Sequence, residues 1–220
     1  MKLFAGFDPR EAVGFFAFAQ SLIETSPGVS LTALSGAQGD GTNAFTLERF
    51  KVFDLCNFGS WACFVDGSDM LLRADIRELF KLQDKRYAVQ VVKHDYQTRH
   101  ERKYVGTEME ADNRSYPRKN WSSVMLVNCA HISHHHNRTA IKEAIAAGDG
   151  TFLHRFSWLD DEEIGSLPLE WNWLADEYGE NQKAKLLHWT AGIPGFYHYH
   201  KAPHAEEWKS AVRKVTRGMQ

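Results

Sequence analysis

The chain has 220 residues, 43% of them hydrophobic, which is enough for one domain with a sizeable core. Its formal net charge of −2 gives no basic footprint of the kind that nucleic-acid-binding proteins carry, so we expect no nucleic-acid partner. Three scattered cysteines exclude a disulfide framework, and no segment approaches the roughly 18 apolar residues of a membrane span. We therefore expect residues 1–220 to form a single cytoplasmic domain without a membrane span.

Short apolar runs alternate along the chain with amphipathic segments. The apolar runs predict strands at residues 3–6, 29–34, 61–65, 86–92 and 124–128. The amphipathic segments predict helices at residues 8–25, 45–50, 74–80, 138–147 and 204–218. Residues 35–43, rich in Gly and Ser, predict an exposed loop. This alternation favours an α/β sandwich with a mostly parallel central sheet.

The first helix has a well-marked start. Asp8 suits the N-cap, Pro9 suits the first helical position, and Glu11 is placed to close a capping box. A strand, a tight turn and a helix N-terminus together make a place where a nucleotide can bind. No Gly-x-Gly-x-x-Gly or P-loop pattern is present there.

Two aspartates follow the apolar run at 61–65. Asp66 ends the run, and Asp69 comes three residues later, directly before Met70 and Leu71. A buried carboxylate without a partner is costly, so a pair between apolar flanks needs an Arg, a Lys or a divalent metal ion. Hard oxygen ligands suit Mg²⁺ or Mn²⁺. An ordinary Asp-Gly turn is the competing interpretation. Arg49 in the preceding helix is a candidate partner for a carboxylate or a phosphate.

Residues 93–120 form a long polar stretch, and loops of this length are usually lids, binding loops or disordered. The basic end of the stretch, Arg118 and Lys119, could hold phosphates or sugars, although charge runs often simply face water. It leads into an apolar strand that ends at Asn128.

Two later segments carry further candidate residues. The cluster at 131–136 contains four histidines, but its spacing fits no standard structural zinc pattern, so a His-rich loop before the next helix is favoured over a zinc site. Asp160 and Asp161 lie in a stretch rich in acids and Trp, which is typical of sugar sites. Near the end, His188 follows a short apolar run and precedes a turn containing Gly and Pro.

Four of these patterns, taken in order, resemble the nucleotide-sugar glycosyltransferases of the GT-A fold. The closest group is the glycogenin-like and bacterial galactosyltransferase-like retaining enzymes of the family 8 type. Residues 66–69 resemble that family's Asp-x-Asp metal motif, and residues 45–50 resemble the Arg-bearing helix before it. Residues 188–196 resemble the C-terminal signature that supplies a metal-binding His, and residues 6–11 resemble the turn that cradles the nucleotide base.

The resemblance implies a three-layer GT-A sandwich and a metal-dependent glycosyltransferase. The donor would be a UDP-sugar, and the acceptor a carbohydrate, lipid or protein. Mn²⁺ or Mg²⁺ would be held by Asp66, Asp69 and His188. The residues implied in donor binding are Phe4, Gly6, Phe7, Arg10, Arg49, Asp66, Gly67, Ser68, Arg118, Lys119 and Gly192.

Catalytic roles are implied for Asn128, Asp160 and Asp161, which would hold sugar hydroxyls. The family suggests retention at the anomeric carbon. An inverting enzyme would instead need a carboxylate base near the acceptor, with Asp160 or Asp161 the first candidate. The stereochemical course therefore stays open at the level of sequence.

The sequence departs from the family pattern in two places. The acidic motif has one residue more than Asp-x-Asp, and the C-terminal signature lacks the Lys that usually helps to hold the diphosphate. His198, His200 and Lys201 are candidates to replace that Lys. Two other functions stay open: a nucleotide-sugar-binding or nucleotidyltransferase-like protein without transfer activity, and a zinc protein built on His131–His136.

Overall fold

The computed structural model describes residues 1–36 and 43–217, so most of the loop predicted at 35–43 lies outside the described residues. Within these ranges the strands are β1 Lys2–Gly6, β2 Leu31–Leu34, β3 Trp61–Val65, β4 Met70–Leu72, β5 Val89–Val91, β6 Arg102–Lys103, β7 Ala111–Asp112, β8 Val124–Asn128, β9 Ile164–Ser166, β10 Trp173–Leu174 and β11 Leu186–His188. The α-helices are α1 Ala12–Thr25, α2 Val52–Leu55, α3 Ile76–Phe80, α4 Ile132–His136, α5 Arg138–Ala147, α6 Gly150–His154, α7 Ala175–Tyr178 and α8 Ala205–Val215.

The central sheet has six strands in the order β2-β1-β3-β8-β5-β9. The β1–β2, β1–β3 and β5–β9 pairs are parallel, and only β8 runs antiparallel to its two neighbours. The prediction of a mostly parallel sheet is confirmed. The reversed direction of β8 brings its first residue, Val124, opposite Val65, so the chain that enters β8 passes beside Asp66.

Helices cover both faces of the sheet, as period-2 alternation of buried side chains requires. On one face, Phe64 and Met125 pack against residues of α2, α5 and α6. On the other face, Cys63 and Leu126 pack against α1 and α3. The three-layer α/β/α architecture expected from the sequence is therefore present.

A second, three-stranded sheet places the C-terminal half of the site. Its order is β10-β11-β4, with β11 antiparallel to β4 and parallel to β10. His188, the last residue of β11, lies opposite Met70. Because Met70 follows Asp69 directly, this register brings His188 to the acidic pair.

The start of the first helix is partly as predicted. Asp8 caps a 3-10 turn over Pro9–Glu11 by accepting a hydrogen bond from the Arg10 N–H, and α1 follows. The predicted capping box is wrong. The Asp8 N–H donates to Ser68 Oγ at 3.3 Å, and Glu11 Oε2 accepts instead from Asn43 Nδ2 at 3.1 Å.

Two segments that the sequence predicted as loops contain regular structure. Within 93–120, β6 and β7 form a short antiparallel hairpin, and Arg102 binds Glu110 and Asp112 across it at 2.7 and 3.0 Å. The predicted His-rich loop forms the short helix α4, since the His131 side chain caps it by accepting from the Ser133 N–H.

Candidate functional site

Asp66, Asp69 and His188 meet at the edge of the central sheet. One ligand atom from each side chain lies within 4.8 Å of the others. His188 Nε2 is 3.2 Å from Asp69 Oδ2 and 3.9 Å from Asp66 Oδ2. All three side chains are buried, at 9%, 3% and 1% exposure for Asp66, Asp69 and His188. Among residues 1–36 and 43–217, no other three His, Cys, Asp or Glu side chains come together in this way.

The turn between the two aspartates accommodates the extra residue of the motif. Gly67 has a φ of +75°, which glycine adopts without strain, and Met70 N donates to Gly67 O at 3.1 Å. Ser68 is fully buried, and its hydroxyl donates to Gly6 O at 3.2 Å. The Ser68 side chain therefore ties the turn to the end of β1, and both carboxylates remain beside His188.

His188 is oriented from behind by Asn172. Asn172 Nδ2 donates to Ser123 Oγ at 2.8 Å and to Asn120 O at 3.3 Å, so its amide oxygen faces His188 Nδ1, 2.9 Å away. The His188 Nδ1–H therefore donates to Asn172, and Nε2 points at the carboxylates. This is the tautomer that a metal-binding histidine needs, with an amide fixing its ring.

Arg49 compensates part of the acidic charge. Its Nη1 lies 2.7 Å from Asp66 Oδ1, and it donates to Thr46 O and Ser122 O. The contact with Asp66 is electrostatic and lacks hydrogen-bond geometry. Consequently Asp66 Oδ1 and Asp69 Oδ1 are both buried without a hydrogen-bond donor. Two such oxygens beside a correctly oriented imidazole fit a divalent cation.

The electrostatics of the cluster match this geometry. Burial raises the pKa of Asp66 to about 6; Arg49 opposes the rise and Asp69 adds to it. Burial alone would lower the pKa of His188, but the carboxylates of Asp69 and Asp66 outweigh it and raise that pKa. A bound cation would relieve the repulsion between the aspartates and take the place of these protons.

This proton competition predicts a pH dependence of metal affinity. Below its raised pKa of about 6 Asp66 holds a proton, which metal binding must release. We expect the Mn²⁺ affinity to fall about tenfold for each pH unit below about 6, and more steeply if His188 also releases a proton. Calorimetric titrations between about pH 5 and pH 8 would measure this slope, and an affinity constant across that range would contradict it.

An open cavity of about 370 Å³ lies near the cluster, connected to it through two lining residues that adjoin His188 and its partner Asn172. Asn120, whose carbonyl accepts from Asn172, and Thr190, two residues after His188, both line it. Its lining also includes Lys103, Asn113, Tyr116 and Lys119. A second cavity of about 290 Å³ shares Tyr116 and Lys119 with the first and extends along His94 and Tyr96.

Of the neighbouring basic residues Arg118 and Lys119, both predicted to bind the donor, only Lys119 lines both cavities. Its Nζ donates to Asn113 Oδ1 at 2.5 Å and to Arg114 O at 2.7 Å. Burial lowers the pKa of Lys119 to about 8, and the positive charge of Lys103 contributes. Arg118 lines the second cavity, and its guanidinium lies 5.3 Å from the ring centre of Trp121.

Three predicted donor-site residues are closely packed against aromatic rings or lie inside a strand. Phe4 is buried within β1. A Cβ on Gly6 would lie 2.3 Å from Phe45, and a Cβ on Gly192 would lie 2.5 Å from Tyr199. The two glycines therefore allow close approach of rings.

Phe7 and Arg10, predicted to cradle the base, lie in the turn after β1. The Phe7 ring meets Phe15 edge-on, with centroids 5.1 Å apart. Arg10 Nη2 donates to Asp8 Oδ2 at 2.7 Å, and this carboxylate also accepts from the Ala44 N–H at 2.8 Å. The turn is thereby fixed to the segment that leads to the 3-10 helix Glu48–Lys51, which carries Arg49.

The structure does not bring the three predicted catalytic residues to the cluster of Asp66, Asp69 and His188. Asn128 lies opposite Trp61, at the far end of β3 from Asp66, because β8 is antiparallel. Asp160 forms a capping box with Glu163, and Asp161 forms an ion pair with Arg118 at the surface.

The histidine cluster is used for packing. His134 is fully buried, with Nε2 against Ala88 O at 2.9 Å and Nδ1 accepting from Trp158 Nε1 at 3.3 Å. His135 Nε2 lies 3.0 Å from Phe58 O. Because these nitrogens already have partners, the zinc alternative loses its central ligand.

Sequence reasoning missed Asn172, Glu11 and Lys103 as parts of the site. Glu11 is 1% exposed; burial raises its pKa well above the usual range, and the charges of Asp69 and Asp8 add to the rise. Lys103 acts electrostatically on Asp66, Asp69 and Glu11. The available signal was weak: Asn172 lies between two Trp residues, and Glu11 had a plausible role in a cap.

Comparison with known proteins gives one curated relative. Protein CDI of Arabidopsis thaliana is 35% identical over 234 aligned residues, covering 98% of this chain and 87% of that protein. No protein-family model matches the sequence.

Solved structures match the fold over nearly the whole chain. The glycosyltransferase GlyE of Streptococcus pneumoniae superposes with a TM-score of 0.66 at 12% identity, over 96% of this chain and 59% of that one. The galactosyltransferase LgtC, in complex with donor and acceptor sugar analogues, superposes with a TM-score of 0.59 at 13% identity, over 100% of both chains. The chain spans less than two thirds of GlyE. At these identities the likeness establishes the GT-A fold.

Proposed function

This chain belongs to the family of the Arabidopsis Protein CDI, and from that premise and its GT-A fold we propose that it is a metal-dependent glycosyltransferase. It would move a sugar from a nucleotide-sugar, in the first instance a UDP-sugar, to a carbohydrate, lipid or protein acceptor. The observation that carries the proposal is the cluster of Asp66, Asp69 and His188, buried at the sheet edge with Asp69 Oδ1 lacking a hydrogen-bond donor.

The protein groups have distinct roles in this proposal. Asp66, Asp69 and His188 hold Mn²⁺ or Mg²⁺, and Asn172 orients His188. When bound, the ion supplies Lewis-acid stabilisation of the charge that develops on the leaving diphosphate. Arg49 keeps Asp66 ionised and adds positive potential beside the donor.

Retention at the anomeric carbon is the favoured course. Asp160 and Asp161, the candidate bases of an inverting enzyme, are engaged in a cap and in an ion pair with Arg118. LgtC was solved with donor and acceptor sugar analogues, and the two adjoining cavities here offer room for two ligands.

Cys56, Cys63 and Cys129 are buried thiols, which supports a reducing compartment such as the cytoplasm. No helix in the described residues is long and apolar enough to span a membrane.

A panel of nucleotide-sugars, assayed for release of nucleoside diphosphate with Mn²⁺ and with EDTA, tests the proposal. We expect turnover of at least one donor, lost in EDTA and restored by added Mn²⁺. Thermal shifts on the same panel report binding separately, since a ligand at a hundredfold excess over its Kd stabilises by about 2.7 kcal/mol. Binding without turnover for every donor and acceptor tried would favour the binding-protein alternative, and neither binding nor turnover would reject the proposal.

A further inference from the structure

The hairpin of β6 and β7 carries Lys103 to the site and is fixed there by backbone hydrogen bonds. Directly after Lys103, the Tyr104 N–H donates to Ala191 O at 2.6 Å, and the Val105 N–H donates to Tyr199 Oη at 3.0 Å. Both acceptors belong to the segment that follows His188. The backbone at Lys103 is therefore held in a defined position relative to the metal-binding histidine.

A second set of bonds joins the hairpin to the other side of the site. Tyr104 is 3% exposed, and its hydroxyl donates to Asn43 Oδ1 at 3.3 Å. Asn43 in turn donates through Nδ2 to Glu11 Oε2 at 3.1 Å. The hairpin thus bridges the start of the first helix and the C-terminal segment, and Lys103 lies on that bridge.

The Lys103 ammonium lies 5.2 Å from the ring centre of Tyr104 and has acidic neighbours, but it forms no hydrogen bond or ion pair with residues 1–36 and 43–217. Burial lowers its pKa, and the charges of Asp69, Glu11 and Asp66 oppose that change. No carboxylate oxygen of the described residues lies within 4.0 Å of Lys103 Nζ, the limit for an ion pair. A half-buried cation that interacts electrostatically with three acids, none of them within 4.0 Å, leaves a gap between the opposite charges.

The other cations near the site are already bonded. Lys119 donates to Asn113 and Arg114, and Arg49 contacts Asp66. His198, His200 and Lys201, which follow the C-terminal signature, are exposed. Arg114 also lines the larger cavity, and its Nη2 donates to Asp112 Oδ2 at 3.1 Å. Among the described residues, Lys103 is therefore the cation lining that cavity that has no hydrogen bond or ion pair and keeps its donors for a ligand.

We propose that Lys103 binds the diphosphate of the nucleotide-sugar, from the side of the gap opposite the metal-binding carboxylates. This inference rests on the proposed function. A diphosphate can interact with both the acids and Lys103, since its oxygens bind a divalent ion held by the acids and accept hydrogen bonds from an ammonium. The hairpin then contributes to donor binding through a lysine that lies about eighty-five residues before His188.

Calorimetry with inorganic pyrophosphate and Mn²⁺ tests this assignment, using Lys103→Met, Lys103→Gln and Lys201→Met, which removes the exposed lysine that the sequence offered as the alternative diphosphate ligand. We expect both Lys103 variants to bind Mn²⁺-pyrophosphate about 10- to 100-fold more weakly than wild type, the size expected for one charge-assisted hydrogen bond. Binding of Mn²⁺ alone should be unchanged or tighter, because a nearby positive charge is removed. Lys201→Met should behave as wild type in both titrations.

A merely structural role for Lys103 would give a different result. Since its ammonium has no ion pair in the described residues, both Lys103 variants should unfold at or above the wild-type temperature. Wild-type pyrophosphate affinity in either variant, or an equal loss in Lys201→Met, would overturn the inference; if one variant fails to fold, the other decides. The inference alone would be rejected if the wild-type protein turned over a nucleotide-sugar and the Lys103 variants bound pyrophosphate normally. The proposed function would be rejected if the wild-type protein showed no turnover.

Discussion

Replacing Asp69 by Asn is expected to lower nucleotide-sugar turnover about a thousandfold, because the metal supplies several kcal/mol of charge stabilisation at the leaving diphosphate. Asn keeps the shape of Asp but not its charge. Asp69 Oδ2 lies 3.2 Å from His188 Nε2, and Oδ1 lacks a hydrogen-bond donor, so the carboxylate has no other evident structural partner. Initial rates of nucleoside diphosphate release with saturating Mn²⁺ would measure the effect.

The fold should survive this change. The Asp69 backbone carbonyl still accepts from the Trp189 N–H at 2.9 Å, and the substitution removes the like charge beside Asp66. Asp54→Asn is a matched control, because Asp54 lies on α2 and pairs at the surface with Arg138 and Lys142. It should retain wild-type turnover. An Asp69→Asn protein with wild-type, metal-dependent turnover would remove Asp69 from the metal site.

Replacing Arg49 by Met should lower the unfolding free energy by about 3–5 kcal/mol near pH 8 without metal, because the buried Asp66 carboxylate loses its oppositely charged partner. Arg49 is 6% exposed and lies 2.7 Å from Asp66. Thr46 O and Ser122 O would lose a donor as well. Denaturant unfolding followed by circular dichroism would give the value.

The pH dependence of this loss follows from Asp66. Burial already raises the folded-state pKa of Asp66 to about 6, and losing Arg49 would raise it further. A carboxyl with a raised folded-state pKa is destabilising above that pKa and is relieved as protonation proceeds at lower pH. The part of the difference between wild type and Arg49→Met that comes from Asp66 should therefore shrink as the pH falls from about 8 and be lost near pH 6, below which Asp66 is protonated in both folded proteins.

Lys51→Met provides the control for Arg49, because Lys51 is an exposed cation two residues away, paired with Glu48. Its loss should cost less than about 1 kcal/mol. Mn²⁺ should restore part of the stability of Arg49→Met by supplying a cation beside Asp66. Equal losses in the two variants, or a loss independent of pH, would show that the Arg49–Asp66 contact is energetically minor.

Much of the fold could be predicted from the sequence because its signals are local. The apolar run at 61–65, the cap at Asp8 and the helix ending before Gly148 each depend on residues close together in the chain. The cluster of Asp66, Asp69 and His188 was harder to predict, since Asp69 and His188 are far apart in sequence. Only the resemblance to a family put them together, and the structure joins them through the β4–β11 pairing.

The contributions of Asn172, Glu11 and Lys103 could not be predicted because they depend on long-range packing. Nothing local to Lys103 distinguishes it from the other charges of 93–120; its place is set by bonds from Tyr104 and Val105 to the C-terminal segment. The position of Asn128 has a related cause. An apolar strand does not reveal its direction, and the antiparallel β8 carries its last residue away from the edge where Asp66 lies.

The most direct test of the metal site is an anomalous difference map from crystals grown with Mn²⁺ and UDP. We predict one strong manganese peak in contact with the carboxylates of Asp66 and Asp69 and with His188 Nε2, and phosphate density extending from it towards Lys103. A manganese peak elsewhere, or UDP bound without manganese at these three side chains, would contradict it.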